Sequence, residues 1–294
     1  MTDVLGILES WAEGLATVRR EDGSLVEIPT ADIVSGKPVP PRPSVHRRLA
    51  ARDADRLALP GWQPVESERL GEWVLRASGG FSSRGNSVFA LGNPGMPLAE
   101  AVSKVAQWYR ARSLAPRAHV HPGALEADAF TEAGWTVYEP TLLMLASVAQ
   151  ALRRLGGDHV AAPRHHPSVD AGWLAADPRA ERHGEHARSV LEAGEVTFAT
   201  VRGEGDVVLA RGRGVVHGDW VGGSSLWTRA DVRGTGLGSA VLESLLAWGA
   251  ERGATTAYLQ VVESNDAARR IYEARGFEVH HGYAYLVADE GAPG

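Results

Sequence analysis

The residues Asp231-Val232-Arg233-Gly234-Thr235-Gly236-Leu237-Gly238-Ser239 set three glycines and an arginine directly ahead of an apolar run. Leu237, Val241, Leu245 and Trp248 recur at helical spacing, with Leu242 and Leu246 beside them, so the run reads as a helix with one face inward. Glycines at a helix entrance let a ligand approach the backbone and leave amide N–H groups unpaired. Together with the positive end of the helix dipole, those groups suit a diphosphate. Arg233 adds a fixed charge. The same residues could equally do no more than start a helix.

Further on runs Leu259-Gln260-Val261-Val262-Glu263-Ser264-Asn265-Asp266-Ala267-Ala268-Arg269-Arg270-Ile271-Tyr272-Glu273-Ala274-Arg275-Gly276-Phe277. A β-rich stretch here meets an Asn/Asp helix cap, then a short helix closed by a glycine and an aromatic. Arg-x-x-Gly-x-Gly, followed by Asn-x-x-Ala-x-x-x-Tyr-x-x-x-Gly-Phe, resembles the GNAT superfamily of acyl-CoA-dependent N-acetyltransferases. The resemblance implies an α+β fold with a mixed central sheet flanked by helices, and acetyl-CoA as cosubstrate. It further implies that Leu226, Trp227 and Thr228 contact the pantetheine arm, where their strand splays from the strand at Tyr258–Val262. Arg233, Gly234, Thr235, Gly236, Leu237, Gly238 and Ser239 would hold the diphosphate. Asn265 in relatives touches the cofactor or an ordered water, and its plain structural role is a helix N-cap.

Tyr272 faces the CoA sulfur in the family and is the expected general acid, since a neutral phenol of pKa about 10 can protonate a leaving thiolate. Its structural alternative is a core aromatic. No general base stands out. Some relatives carry a glutamate where this chain has Gln260, which cannot accept a proton. Glu263, Asp219 and His217 are nearby candidates, each with a surface or hairpin role as its alternative. If the acceptor carries carboxylates, arginine offers a bidentate fork for them. Arg211, Arg213, Arg229, Arg76 and Arg84 are the candidates, the last two flanking the turn Ser78-Gly79-Gly80-Phe81. His165-His166, His183-x-x-His186 and His280-His281 lack cysteine or carboxylate partners at metal spacing, so no metal site is expected. Arg211-Gly212-Arg213-Gly214 has the apolar flanks of a hairpin strand rather than an RNA-binding box.

The elements that must position this chemistry begin with residues 1–43. Three short alternating runs around a turn at Asp22-Gly23 read as a small β-barrel or part of one, ended by the stiff Lys37-Pro38-Val39-Pro40-Pro41-Arg42-Pro43. Residues 44–155 hold an internal repeat of the C-terminal region. Gly134-Trp135-Thr136-Val137 through Ala146 matches Gly276-Phe277-Glu278-Val279 through Ala288. Trp108 and Arg112 lie over Trp248 and Arg252. This copy lacks the chemistry: Asn93-Pro94-Gly95-Met96-Pro97-Leu98 stands opposite the cradle, its prolines removing amide donors, and Phe130 stands opposite Tyr272. Residues 44–155 are therefore expected to be a degenerate GNAT-like lobe, and residues 156–294 the catalytic domain. Between them, Gly156 to Pro167 reads as a linker. A strand is expected near Val169–Leu174, a helix near Arg179–Ala193, and strands at Val196–Arg202, Val207–His217 and Gly222–Thr228.

Composition narrows the function classes. A formal net charge of −6 argues against general nucleic-acid binding, which needs a basic surface. The longest uncharged apolar runs are too short to span a bilayer, and with no cysteine there is neither a disulfide framework nor a thiolate metal site. A cytoplasmic enzyme, monomer or homodimer, is the expectation. The layout as a whole resembles an actinobacterial two-lobed family, variously labelled N-acetylglutamate synthase or histone-acetyltransferase-like. The expected activity is transfer of an acetyl group to a small-molecule primary amine, an amino acid and glutamate first. A protein lysine or N-terminal amine is the alternative acceptor, and a non-catalytic acyl-CoA sensor the alternative class.

Overall fold

The computed structural model describes residue 4 and residues 6–20, 24–36, 48–155 and 162–288. Contacts divide the chain into two units, residues 1–43 and 44–294. In the first, β1 (Ile7–Ala12), β2 (Leu15–Arg19) and β3 (Leu25–Pro29) form an antiparallel meander. Glu13 and Gly14 turn the first hairpin with positive φ of 54° and 80°. The described residues make an open three-stranded sheet, without the closure of the expected barrel. The Asp22-Gly23 turn and the proline-rich segment at 37–43 lie outside the described residues, but the strands flanking that turn pair in register from Arg19↔Leu25.

The second unit is organised by one sheet. Its elements in chain order are α1 (Ala51–Ala58), β4 (Glu66–Leu70), β5 (Trp73–Ala77), β6 (Val88–Phe89), α2 (Leu98–Arg110), β7 (Arg117–Val120), α3 (Leu125–Glu132), β8 (Trp135–Ser147) and α4 (Val148–Leu155). There follow β9 (Arg164–His166), α5 (Ala171–Ala175), α6 (Pro178–Leu191), β10 (Glu195–Arg202), β11 (Val208–His217) and β12 (Trp220–Thr228). The last are α7 (Leu237–Ala250), β13 (Thr256–Val262), α8 (Asp266–Ala274) and β14 (Glu278–Ala288). Strand order across the sheet is β4-β5-β6-β7-β14-β8-β13-β12-β11-β10-β9.

The same pattern of elements occurs twice. β4, β5 and β6 pair antiparallel and β6 runs parallel to β7; β10, β11 and β12 pair antiparallel and β12 runs parallel to β13. Each set then ends in a helix and a long strand, and those two strands change places. β14 lies beside β7, β8 lies beside β13, and the two pair with each other from Glu278↔Leu145 to Ala288↔Trp135. The likeness extends to side chains. Arg112 stacks 3.6 Å from the Trp108 ring and pairs with Glu66; Arg252 stacks 4.4 Å from Trp248 and pairs with Glu195.

Alternation explains the Arg-Gly-Arg-Gly run. Successive residues of a strand face opposite sides. A Cβ on Gly212 would meet Leu226, Val241 and Leu245 within 3.0 Å, so glycine there lets α7 lie close on β11. Arg211 and Arg213 point to the other face and are buried. Two expectations need correction between residues 162 and 175. His165 and His166 sit on β9, an edge strand paired with β10, rather than in a linker. Residues 171–175 are helical, because Asp170 caps α5 by accepting from the Trp173 N–H at 2.8 Å.

Candidate functional site

Parallel pairing of β12 with β13 stops at Gly223↔Leu259, while β12 continues to Thr228. Beyond that point the strands part. A register shift on β12 and a positive φ of 52° at Ser225 re-aim the free end, which carries Leu226, Trp227 and Thr228. These three residues are half-buried, with β13 no longer hydrogen-bonded to them. An unpaired strand edge can bond the amides of an extended ligand, as in strand addition.

The cradle follows at once. Gly236 is the N-cap of α7 with φ 90°, and Gly234 has φ 79°; a Cβ on either would meet nothing within 4 Å. No side chain caps the helix, so the first-turn amides of Leu237, Gly238 and Ser239 remain free to donate. Arg233 Nε donates to Thr228 O at 3.2 Å, and Thr235 Oγ1 donates to Val232 O at 2.7 Å, which shape the loop. One basic residue was not foreseen: Arg275 donates from Nη2 to Ser239 Oγ at 2.5 Å, and its buried Nε has no partner among the described residues. Its signal lay inside the motif, three residues after Tyr272. Free amides, open space at the glycines and an orphaned guanidinium nitrogen all fit an anionic cofactor.

In the first copy Asn93 N donates to Glu72 Oε2 at 2.6 Å and Gly92 N donates to Glu126 Oε1 at 2.9 Å, so two carboxylates occupy the loop ahead of α2. Pro97 is the N-cap of α2. Phe130 is fully buried between Trp73 and Trp135.

Tyr272 differs from Phe130 in being half-buried on α8, with its ring edge-on to Phe277 at 6.1 Å. Burial raises its pKa above the ordinary phenol value, which keeps the proton on at neutral pH. Its hydroxyl has no hydrogen bond among the described residues. Asn265 caps α8, its side chain accepting from Ala268 N at 3.1 Å.

Two small adjoining cavities lie where the two sets of elements meet. Both are bordered by Trp62, Arg84 and Gln260. One adds Asp55, Arg76, His119 and Tyr285; the other adds Arg213, Ser224 and Tyr258. Arg84 Nη2 donates to Gln260 O at 3.1 Å across the two copies. Ser224 Oγ and Arg84 Nε are buried without a partner among the described residues. Of the five candidate arginines, Arg213 is locked by the carbonyls of Leu191, Gly61 and Ala193, and Arg211 by those of Ser225 and Ala176 and by Asp177. Burial lowers both guanidinium pKa values to about 10. Arg229 is held in solvent by Asp231, and Arg76 is tied to Ser87. Arg84 borders both cavities, beside Arg76 in one and Arg213 in the other. The Ser78–Phe81 turn packs under α6, with Phe81 edge-on to His183 at 6.2 Å.

The candidate bases separate too. Glu263 is exposed, and Asp219 is an exposed turn residue that accepts from Thr255 Oγ1 at 3.2 Å. His217 Nε2 lies 3.1 Å from the hydroxyl of Tyr258, which borders a cavity. Burial lowers the His217 pKa, so its imidazole is neutral at pH 7, and burial raises Tyr258 to about 12.

Known proteins share this arrangement. Residues 50–286 match the family described as "Probable histone acetyltransferase Rv0428c C-terminal". The chain is 28% identical over 298 residues to the Mycobacterium tuberculosis protein named Probable histone acetyltransferase Rv0428c, covering 98% of this chain and 89% of that one. It is 23% identical over 236 residues to the Bacillus subtilis protein named Uncharacterized N-acetyltransferase YobR, covering 77% of this chain and 94% of that one. Among solved structures, a GCN5-related N-acetyltransferase from Kribbella flavida aligns with a TM-score of 0.56 at 18% identity, over 84% of this chain and 96% of its own. A tandem GNAT protein from the clavulanic acid biosynthesis pathway aligns at 0.55 and 12% identity, over 82% of this chain and 89% of its own. No described helix is long and apolar enough to cross a membrane. With a GNAT α+β fold, a split sheet and the family's match across residues 50–286, the chain belongs to the Rv0428c C-terminal family and is a GNAT-superfamily N-acetyltransferase.

Proposed function

We propose that the chain transfers the acetyl group of acetyl-CoA to the primary amine of a free amino acid, glutamate first among candidates. The free edge of β12 would hold the pantetheine arm, and the amides of Leu237, Gly238 and Ser239, with Arg233 and Arg275, would hold the diphosphate. Bound acetyl-CoA supplies an activated thioester. Tyr272, protonated at neutral pH, donates its phenolic proton to the departing sulfur. Gln260 cannot take the amine proton, so the His217–Tyr258 pair is the candidate path for it, through water in the adjoining cavity. Residues 44–155 act as the degenerate lobe and residues 156–294 as the catalytic one. Only the second binds cofactor, because prolines and two carboxylates stand in the loop ahead of α2 in the first.

The observation that carries the acceptor reading is Arg84, on the lining of both cavities, reaching across to the Gln260 carbonyl. A small cleft bordered by Arg84 and Arg76 suits a compact amine bearing carboxylates better than a lysine on a protein surface. CoA release measured against a panel of amino acids and lysine peptides tests this. Free glutamate should be the faster substrate, and Arg84→Ala should raise its KM about tenfold or more while acetyl-CoA affinity holds. Faster turnover of lysine peptides would transfer the reading to a protein acceptor.

A further inference from the structure

Four side chains from three elements converge at one buried point outside the cofactor cradle. Asp55 Oδ2, on α1, lies 2.7 Å from His121 Nε2, 3.1 Å from His281 Nε2 and 3.2 Å from His119 Nε2. His119 is on β7, His121 follows it, and His281 is on the adjacent β14. Asp55 is 2% exposed. We propose that Asp55, His119 and His121 form a binding site for one divalent transition-metal ion of the zinc class, with His281 bonded to the same carboxylate.

A carboxylate offers about four lone-pair sites over its two oxygens. Here three imidazole nitrogens crowd one oxygen, while the sibling Oδ1 is buried with no partner among the described residues. Of these groups, Asp55, His119 and His121 bring one ligand atom each within 4.8 Å of one another. A tetrahedral ion with bonds near 2.0–2.2 Å holds neighbouring ligand atoms about 3.3 Å apart. The Asp55 oxygen lies 2.7 Å from the His121 nitrogen and 3.2 Å from that of His119, close to that edge.

The ligand chemistry selects the ion. Two imidazoles and one carboxylate suit zinc and its neighbours, whereas calcium and magnesium require oxygen shells. The outer groups are in place as well. His281 Nε2 lies 3.1 Å from the ligating Asp55 oxygen and helps to hold the carboxylate in position. His119 is stacked face to face on Tyr283, with ring centroids 4.0 Å apart, which fixes its plane. Three protein ligands leave the fourth position of a tetrahedral ion open. The ion would pin α1 to the sheet beside the cavity that Asp55 and His119 border, and its binding does not depend on which amine is acetylated.

The experiment uses the full chain without an affinity tag, stripped with a chelator and titrated separately with Zn2+ and Co2+. The proposal expects one tightly held ion per chain, a higher melting temperature when loaded, and the visible absorption of tetrahedral Co2+. Asp55→Asn and His121→Gln should each weaken binding about tenfold or more, whereas His165→Gln, on the far edge strand, should not. His121 is the most exposed of the four side chains at 18%, so its variant should fold. If a stripped wild-type chain takes up no stoichiometric ion, or shows neither the melting shift nor the Co2+ spectrum, the site is an internal hydrogen-bond network and the proposal fails. Retention of the ion in both ligand variants would likewise overturn it. None of these readouts uses acetylation, so failure of the acceptor assignment would leave them unchanged.

Discussion

Tyr272 and Phe130 occupy matching helices, and only the one with a hydroxyl is half-exposed beside the split sheet. Tyr272→Phe keeps the ring on Phe277 and removes only the proton donor. Turnover should fall by about 10²–10⁴-fold with acetyl-CoA affinity nearly unchanged, as read by steady-state kinetics beside calorimetry. A second residue-scale prediction concerns Arg213, which satisfies three buried carbonyls. Arg213→Ala should cost about 3 kcal/mol or more of stability in denaturant titration, because those carbonyls lose their donors. Arg84→Ala should act mainly on acceptor KM. Asp177 supplies the pH dependence. Burial pushes its carboxyl up, but the Arg179 hydrogen bond and the charges of Arg179 and Arg211 pull it below the ordinary value. A depressed carboxylate contributes stability that is present above its unfolded pKa of about 3.9 and is lost as pH falls through the folded value. Asp177→Asn should therefore melt lower than wild type at pH 7, with the gap closing below about pH 4.

At the scale of elements, the entrance of α7 and the end of β12 act as one device. The helix begins on a glycine at φ 90°, a left-handed conformation that glycine adopts without a Cβ penalty. Gly236→Ala meets no steric obstacle but adds backbone strain of about 1 kcal/mol, so it should weaken acetyl-CoA binding without unfolding the chain. Gly236→Pro cannot reach that φ and should abolish binding. Calorimetry at one site per chain checks both. Glycines on β11 serve the opposite purpose, since Gly212 and Gly214 admit α7 while the alternate arginines anchor the far face.

For residues 44–294 as a whole, the exchange of β8 and β14 decides how the unit holds together. Each copy's last strand completes the other's half of the sheet, so neither half has a finished edge alone. Residues 44–294 should unfold in a single cooperative transition by calorimetry. Fragments divided between residues 158 and 159 should be soluble only when co-expressed. Independent folding of either fragment would show that the exchanged strands are dispensable.

Much of this was legible in local pattern. The glycine cradle, the capped helix at Asn265 and the matched strands at Trp135–Ala146 and Phe277–Ala288 depend on neighbours in the chain, and periodicity and cap chemistry report such neighbours directly. The loop of the first copy was half legible: Pro94 and Pro97 announced the missing donors, but Glu72 and Glu126 arrive from other elements to bond the Asn93 and Gly92 amides. Arginine roles were not legible at all. Arg211 and Arg84 look alike in sequence, and only packing makes the first a buried anchor and the second a cleft residue. The same holds for Asp55, His119, His121 and His281. Two histidines two residues apart on a strand share a face, which is all that spacing could say. Bringing a helix residue and a strand from the far end of the chain onto that face required the folded sheet, because contacts between distant segments leave no period in either one.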